Sequence, residues 1–340
     1  MYISLSNHGF EIGKYIGNKK FLGKGLAIPM SNLFIDQGQE IVFTKGKVKE
    51  WDKSYKTRST ALDTSMPLVV LINRSSASAS EIVSGAIQDL DRGVVLGQRS
   101  FGKGLVQQTR KLSYNAQLKV TTAKYYIPSG RCIQALDYSS RDEDGSVGKT
   151  PDSLRTEFKT LVNKRTVYDG GGITPDIEIE PHKYSNILRS VISKRHIFNF
   201  ANSFRSNNDS ISSAKTFVVT DAIYDDFKQF LNDKEYEYET KTEKTISSIK
   251  KDAEKEKYLE DLEEELEALT LKMEQSKNND IERFRDEIIE VLEAEIATRY
   301  YYQKGKIEAT LKHDEELAEA INVLNDLEKY NAILLGDSIE

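Results

Sequence analysis

PLVVLINRSSASASEIVSGAIQDLDRGVVLGQRSFGKG, Pro67 to Gly104, decides how the first half of the chain is read. Its opening, PLVVLIN, is a short apolar run behind a proline, the pattern of a buried strand. Next, Ile82, Val83, Ala86, Ile87 and Leu90 recur at helical spacing and make one apolar face. GVVLG, Gly93 to Gly97, is a second buried strand. Strand, helix and strand in that order predict a crossover unit in a largely parallel sheet. Further on, QLKVTTAKYYI, Gln117 to Ile127, alternates and reads as another strand. Leu136 to Pro151 is polar and reads as a mobile loop.

Outward from this block the composition divides the chain. Most of the glycine and the strand signals lie between about Ile35 and Glu180. No proline follows Pro181, and charge rises from about Ser185. Thr220 or Asp221 can cap a helix running through Phe230. Leu259, Leu262, Leu266 and Leu269 form a stripe at helical spacing. Ile281, Phe284, Ile288, Leu292 and Ile296 form a second stripe, and Leu317, Ile321 and Leu324 a third. Amphipathic helices in series predict an all-α bundle or coiled-coil tail without chemistry of its own.

Bulk properties exclude several classes. The net charge of -6 argues against a nucleic-acid partner, which needs a basic footprint. A lone cysteine, Cys132, rules out a disulfide within the chain and a cysteine-based zinc site. The four histidines, His8, His182, His196 and His313, show no metal-ligand spacing. There is no apolar run of membrane-spanning length. The first residues lack the basic-then-apolar pattern of a signal peptide, which taken literally means a cytoplasmic chain.

Four hydroxyls, Ser75, Ser76, Ser78 and Ser80, crowd the start of the predicted helix, where a cap needs one. A serine on a strand-to-helix turn can be a nucleophile, because free N–H groups and the dipole at the helix start suit a developing oxyanion. It needs a base. No histidine lies between His8 and His182, so the local candidate is Lys103 in SFGKG, between Gly102 and Gly104. Close backbone approach at those glycines would leave the amine short of solvent, and burial lowers a lysine's pKa so that the neutral amine can act as a base. The bland alternative is that the serines are caps and turn formers and Lys103 a solvated residue. A second rival is a phosphate loop, since GQRSFGKG, Gly97 to Gly104, nearly fits that pattern. Gly104 stands where a magnesium-binding hydroxyl belongs, and the strand-like LVQQTRKL follows in place of a helix start.

The whole block closely resembles the catalytic block of the carboxyl-terminal processing peptidases, or tail-specific proteases. AKYYIPSGRCIQ, Ala123 to Gln134, and VYDGGGITPDIEIEP, Val167 to Pro181, follow in the family's order, so the resemblance covers about Leu33 to Pro181. It implies a Ser–Lys dyad with Ser78 as nucleophile and Lys103 as base, Gln107 orienting the lysine, and the Ala79 N–H as an oxyanion donor. Ser75, Ser76 and Ser80 would shape the turn. Asp89 also matches an acidic position of the family, as a catalytic helper or as a salt-bridge or capping residue. The implied fold is a crotonase-like spiral α/β catalytic domain followed by the helical tail, with residues 1–30 unassigned, 31–184 catalytic and 185–340 helical. The implied activity is serine endopeptidase cleavage of protein or peptide substrates near free C-termini, with no cofactor and no metal. A homo-oligomer through the tail is a further expectation.

The chain departs from the family pattern upstream. Met1 to Met30 shows neither a substrate-capturing PDZ domain nor the Gly-Gly segment that completes the oxyanion hole, for which Gly23 and Gly25 are weak stand-ins. This suggests a fragment with reduced or absent activity, whose full-length parent works in the periplasm or cell envelope. The competing function is an inactive remnant whose helices bind a protein partner.

Overall fold

The computed structural model describes residues 2–6, 9–12, 24–138 and 147–337. The chain forms two compact units, Met1–Pro181 with Glu315–Glu340, and His182–Asp314. This is the α/β domain plus helical region expected from the sequence, but the units divide the chain differently from 1–30, 31–184 and 185–340. Residues at both ends belong with the α/β unit.

That unit begins with strands β1 (Tyr2–Ser6) and β2 (Gly9–Ile12) and helix α1 (Lys24–Ser31). Strands β3 (Glu40–Gly46) and β4 (Lys53–Lys56) follow, then β5 (Val69–Ile72), helix α2 (Ala79–Asp89) and β6 (Val94–Gly97). After β7 (Leu105–Lys111) and β8 (Gln117–Tyr126) come the short strands β9 (Glu157–Lys159), β10 (Thr166–Tyr168) and β11 (Ile177–Glu178). One sheet has the order β11-β6-β5-β1-β2, parallel except at β2. A second, antiparallel sheet has the order β4-β3-β8-β7, and β9 pairs with β10. β5, α2 and β6 are the expected crossover unit. The centre of the polar loop, residues 139–146, lies outside the described residues, as does Gly23.

Every residue of β5 and β6 is buried, because both faces of the sheet are covered. Strand alternation sorts the side chains. Val70, Ile72 and Val95 pack with Ile82, Val83 and Ile87 of α2. At about 1.5–3 kcal/mol per fully buried aliphatic side chain, this face of α2 anchors the helix start. Val69, Leu71, Val94 and Leu96 point the other way. Their cover is supplied by α10 (Glu315–Asn325) and α11 (Leu327–Leu335), through Ala320, Val323, Tyr330 and Ile333. The Leu68 N–H donates to the Tyr330 hydroxyl at 3.0 Å. The third apolar stripe of the sequence therefore covers a sheet, with Ile321 left exposed.

The helical unit contains α3 (Asn186–Ser193), α4 (His196–Asn207), α5 (Asp221–Leu231), α6 (Lys241–Glu256), α7 (Leu259–Lys277), α8 (Asp280–Arg283) and α9 (Arg285–Thr310). Thr220 caps α5, accepting from the Ile223 N–H. Ile288, Leu292 and Ile296 of α9 form its core with Leu188, Phe200, Tyr224 and Phe227. The stripe on α7 fails as a core: Leu266 is buried, but Leu262 and Leu269 are 41% and 45% exposed. α6 and α7 form a helical hairpin, and α7 carries six carboxylates between Leu259 and Glu267.

Candidate active site

The turn between β5 and α2 is built from its own polar groups. The Ser75 N–H donates to Asn73 Oδ1 at 2.9 Å, and the Asn73 N–H to Ser76 Oγ at 3.0 Å. The Ser76 N–H closes the turn on the Asn73 carbonyl at 2.8 Å. Such side-chain bonds let short polar residues hold a tight turn. Ser78 then sits at the N-cap of α2 with φ 57° and ψ -108°. A non-glycine residue with positive φ outside the left-handed helical well is strained, by about 1–3 kcal/mol. Ser78 is half-buried, and Ala79, the first residue of the helix, is 3% exposed.

Glu81 secures this turn. Its carboxylate is fully buried and accepts four hydrogen bonds. Oε2 takes the Ser78 N–H at 2.8 Å and the Lys103 N–H at 2.9 Å. Oε1 takes the Gly102 N–H at 2.6 Å and the Ser100 hydroxyl at 2.5 Å. One carboxylate oxygen thus ties the backbone of Ser78 to that of Lys103. Burial pushes the Glu81 carboxyl up from the ordinary carboxylate range, against the bonds from Ser100, Lys103, Ser78 and Gly102. Glu81 was not singled out from the sequence. The signal was there: Ser78-x-x-Glu81 is a capping-box spacing.

The SFGKG loop is clamped along its whole length, and none of its amides uses regular sheet or helix pairing. The Ser100 N–H donates to the Ile173 carbonyl at 3.0 Å and the Phe101 N–H to the Ser76 carbonyl at 2.9 Å. Gly102 and Lys103 donate to Glu81, and the Gly104 N–H to Gln134 Oε1 at 2.8 Å. Gly102 has φ +82°, and a Cβ there would lie 2.3 Å from Ala135 Cβ. Only glycine fits.

Lys103 itself departs from expectation. Gly102 and Gly104 are buried as expected, but Lys103 between them is exposed. The glycines press their backbone against Ala135 and Gln134, so the intervening side chain turns to solvent. Gln107 is exposed on β7, and its amide donates to Thr121 Oγ1 at 3.5 Å. Its described bond therefore runs to Thr121, not to the lysine. Asp89 is a salt-bridge residue: fully buried, it accepts from Arg131 Nη2 at 2.8 Å and Arg131 Nε at 3.1 Å, and from the Ser129 N–H at 2.9 Å.

Strand, turn and helix thus present one strained serine beside a rigid loop that carries one exposed lysine. The Ala79 amide is among the first-turn N–H groups that no helical carbonyl reaches. Such an arrangement can attack a carbonyl and stabilise the resulting oxyanion. Among the described residues, no helix is long and apolar enough to cross a membrane.

Residues 25–140 match the model of peptidase family S41, and residues 187–324 match the model described as "Probable PDZ-protease, C-terminal helical domain". A carboxy-terminal-processing protease of Bartonella bacilliformis is 44% identical over 110 residues, 32% of this chain and 25% of that protein. A protein described as "Probable CtpA-like serine protease" of Staphylococcus epidermidis is 42% identical over 110 residues, 32% of this chain and 22% of that protein. The solved photosystem II D1 C-terminal processing protease is 26% identical, covering 46% of this chain and 31% of its own, with a TM-score of 0.33. The matched stretch spans about a quarter of the length of the curated relatives.

Proposed function

We propose, from the premise that residues 25–140 belong to peptidase family S41, that this chain carries the catalytic centre of a serine endopeptidase that cuts proteins near their C-termini. The observation that carries the reading is the shared Glu81 oxygen, which binds the Ser78 and Lys103 backbones at 2.8 and 2.9 Å. It supports a fixed relation between a nucleophile and a base that lie 25 positions apart, at 78 and 103.

In this reading Ser78 Oγ attacks the scissile carbonyl carbon, and its proton passes to the Lys103 amine. The Ala79 N–H donates to the developing oxyanion, aided by the positive end of the α2 dipole. The intermediate collapses with cleavage of the scissile C–N bond, the Lys103 ammonium giving its proton to the departing amine. Water then attacks the acyl-serine ester and gives its proton to the restored Lys103 amine, which returns it to Ser78 Oγ as the ester C–O bond breaks. A lysine serves as base only when desolvated. Since Lys103 is exposed here, the bound substrate must cover it, with Gln107 as the nearby polar group on β7. The strain at Ser78 supports this role, because strained turns of this kind project a nucleophile from a strand-to-helix junction.

The test is cleavage of an unstructured peptide with an apolar free C-terminus. Ser78→Ala should lower the rate by about 10⁴-fold or more. Ser80→Ala should leave most activity, because Ser80 lies inside the helix, where its carbonyl accepts the Ser84 hydroxyl at 3.0 Å. If Ser80→Ala is the inactive variant, the nucleophile is misassigned. If wild type cuts nothing and the helical unit still binds a protein partner, the remnant reading takes its place.

A further inference from the structure

Every residue from Gln107 to Thr121 is exposed, although most belong to paired strands. β7 and β8 run out here as a two-stranded ribbon. Its register sorts the side chains onto two unlike faces. Arg110 pairs with Leu118 and Gln108 with Val120, so these residues share one face. Alternation adds Leu112 to that face. Leu112, Leu118 and Val120 are 53%, 46% and 38% exposed. Trp51 extends this face, its ring 5.8 Å from the Arg110 guanidinium. The other face pairs Thr109 with Lys119 and Lys111 with Gln117. A bare two-stranded ribbon gains from a partner on its apolar face.

Charge narrows the chemistry of that partner. The whole chain carries -6, yet no Asp or Glu occurs from Arg92 to Leu136. The ribbon contributes Arg110, Lys111, Lys119 and Lys124 with no carboxylate on its own strands. Among the described residues, neither Lys111 nor Lys119 makes an ion pair. A complementary ligand is acidic, with apolar side chains interspersed.

Position narrows it further. β7 is the edge of its sheet among the described strands, so one row of its backbone groups is open to an added strand. It also starts two residues after Lys103. An extended chain lying along β7 would therefore run away from the catalytic loop over the ribbon.

We propose that the β7–β8 ribbon is a substrate-docking arm that selects extended segments mixing Asp or Glu with apolar residues. The proposal rests on the reading of Ser78 and Lys103 as a peptidase centre. Lys111 lies eight positions beyond Lys103, so at about 3.4 Å per residue the acidic segment sits roughly six to eight residues from the scissile bond. Cleavage near a C-terminus leaves that length only on the N-terminal side.

The experiment uses peptides with one scissile segment and one apolar free C-terminus. They differ only about seven residues upstream, where Asp and Leu alternate, or Ser and Leu, or Lys and Leu. The expected result is a KM about tenfold lower for the acidic peptide than for the serine peptide, with equal kcat. The preference should vanish at high salt. In the triple variant Arg110→Glu, Lys111→Glu, Lys119→Glu, it should invert toward the lysine peptide. The single variant Lys119→Glu should reduce the preference if the triple variant folds poorly. Equal KM values for all three peptides, or an unchanged preference in the variants, would overturn the proposal. Anisotropy of the labelled peptides on Ser78→Ala separates the two readings: selective acidic binding without turnover in wild type sinks only the peptidase reading, and binding without preference sinks the docking arm. If the charge reversals alter only sedimentation of the free chain, the ribbon meets the acidic α7 of a second copy. If they alter only flotation with phosphatidylglycerol vesicles, it meets lipid. Either result refutes substrate docking.

Discussion

Replacing Ser78 by glycine should make the protein more stable, whereas replacing it by alanine should not. Ser78 is held at φ 57° and ψ -108°, a region that side chains with a Cβ enter at a cost of about 1–3 kcal/mol. Alanine keeps that cost and loses the hydroxyl at the N-cap, a change typically worth about 1 kcal/mol. Glycine releases the strain and, as a cap, costs only a few tenths. Against it stands the larger entropy of the unfolded glycine chain, about 0.4–1 kcal/mol. The balance puts glycine above alanine by roughly 1–2 kcal/mol. Urea unfolding would show this as a midpoint higher by about 0.5–1 M at the slope usual for a unit of this size. The chain has two units, so the probe must report on the right one. Trp51, the sole tryptophan, lies in the α/β unit and is 45% exposed, and its fluorescence can follow that unit alone. With Ser78 in the nucleophile role proposed above, neither variant could attack a peptide, and a stability gain in glycine would measure the strain invested in that turn. An alanine variant as stable as the glycine variant would refute the reasoning and leave Ser78 an ordinary cap.

Lys103→Arg should fold normally, because Lys103 is exposed and its bond to Glu81 is made by the backbone. It should nevertheless lose about 10²–10⁴-fold in peptide cleavage, since a guanidinium cannot take the serine proton. Wild-type turnover would end the dyad assignment. Gly102→Ala should cost about 2–5 kcal/mol in urea unfolding, from left-handed strain and from the clash with Ala135, and a loss under 1 kcal/mol would show the loop to be adaptable. Burial pushes the Cys132 thiol up from its ordinary value, so less of it is thiolate at any given pH. Iodoacetamide should therefore alkylate it about tenfold more slowly than an unhindered cysteine at pH 8, with the rate still climbing above the ordinary thiol range; a plateau near pH 8.5 would contradict this.

The crossover unit was legible because β5 and β6 are buried on both faces and so write uninterrupted apolar runs into the sequence. The identity of the second cover was not, because Tyr330 meets Leu68 across 262 positions and no local pattern encodes that contact. Periodicity also misled. The leucines of α7 have helical spacing, but spacing shows only that a face exists, and Leu262 and Leu269 remain exposed. At the candidate site, Ser78 and Lys103 come from the family resemblance, with the absence of a nearby histidine pointing to the lysine. Which way the side chain between Gly102 and Gly104 would turn depends on the packing of Ala135 and Gln134, a tertiary matter. Glu81 was readable as a cap, but its bonds to Ser100, Gly102 and Lys103 join segments 19 to 22 positions away.

The cover on the far side of the β5–β6 sheet imposes an order in time. A ribosome releases β5, the Ser78 turn, α2 and the clamped loop before residues 182–314. Only afterwards do α10 and α11 emerge to bury Val69, Leu71, Val94 and Leu96 and to give the Leu68 N–H its partner in Tyr330. Until then, the strand that leads into Ser78 lacks one of its two walls. In this topology helices made well after the Ser78 turn complete the support beneath it, so that turn reaches its final packing only once residues 182–314 have been made.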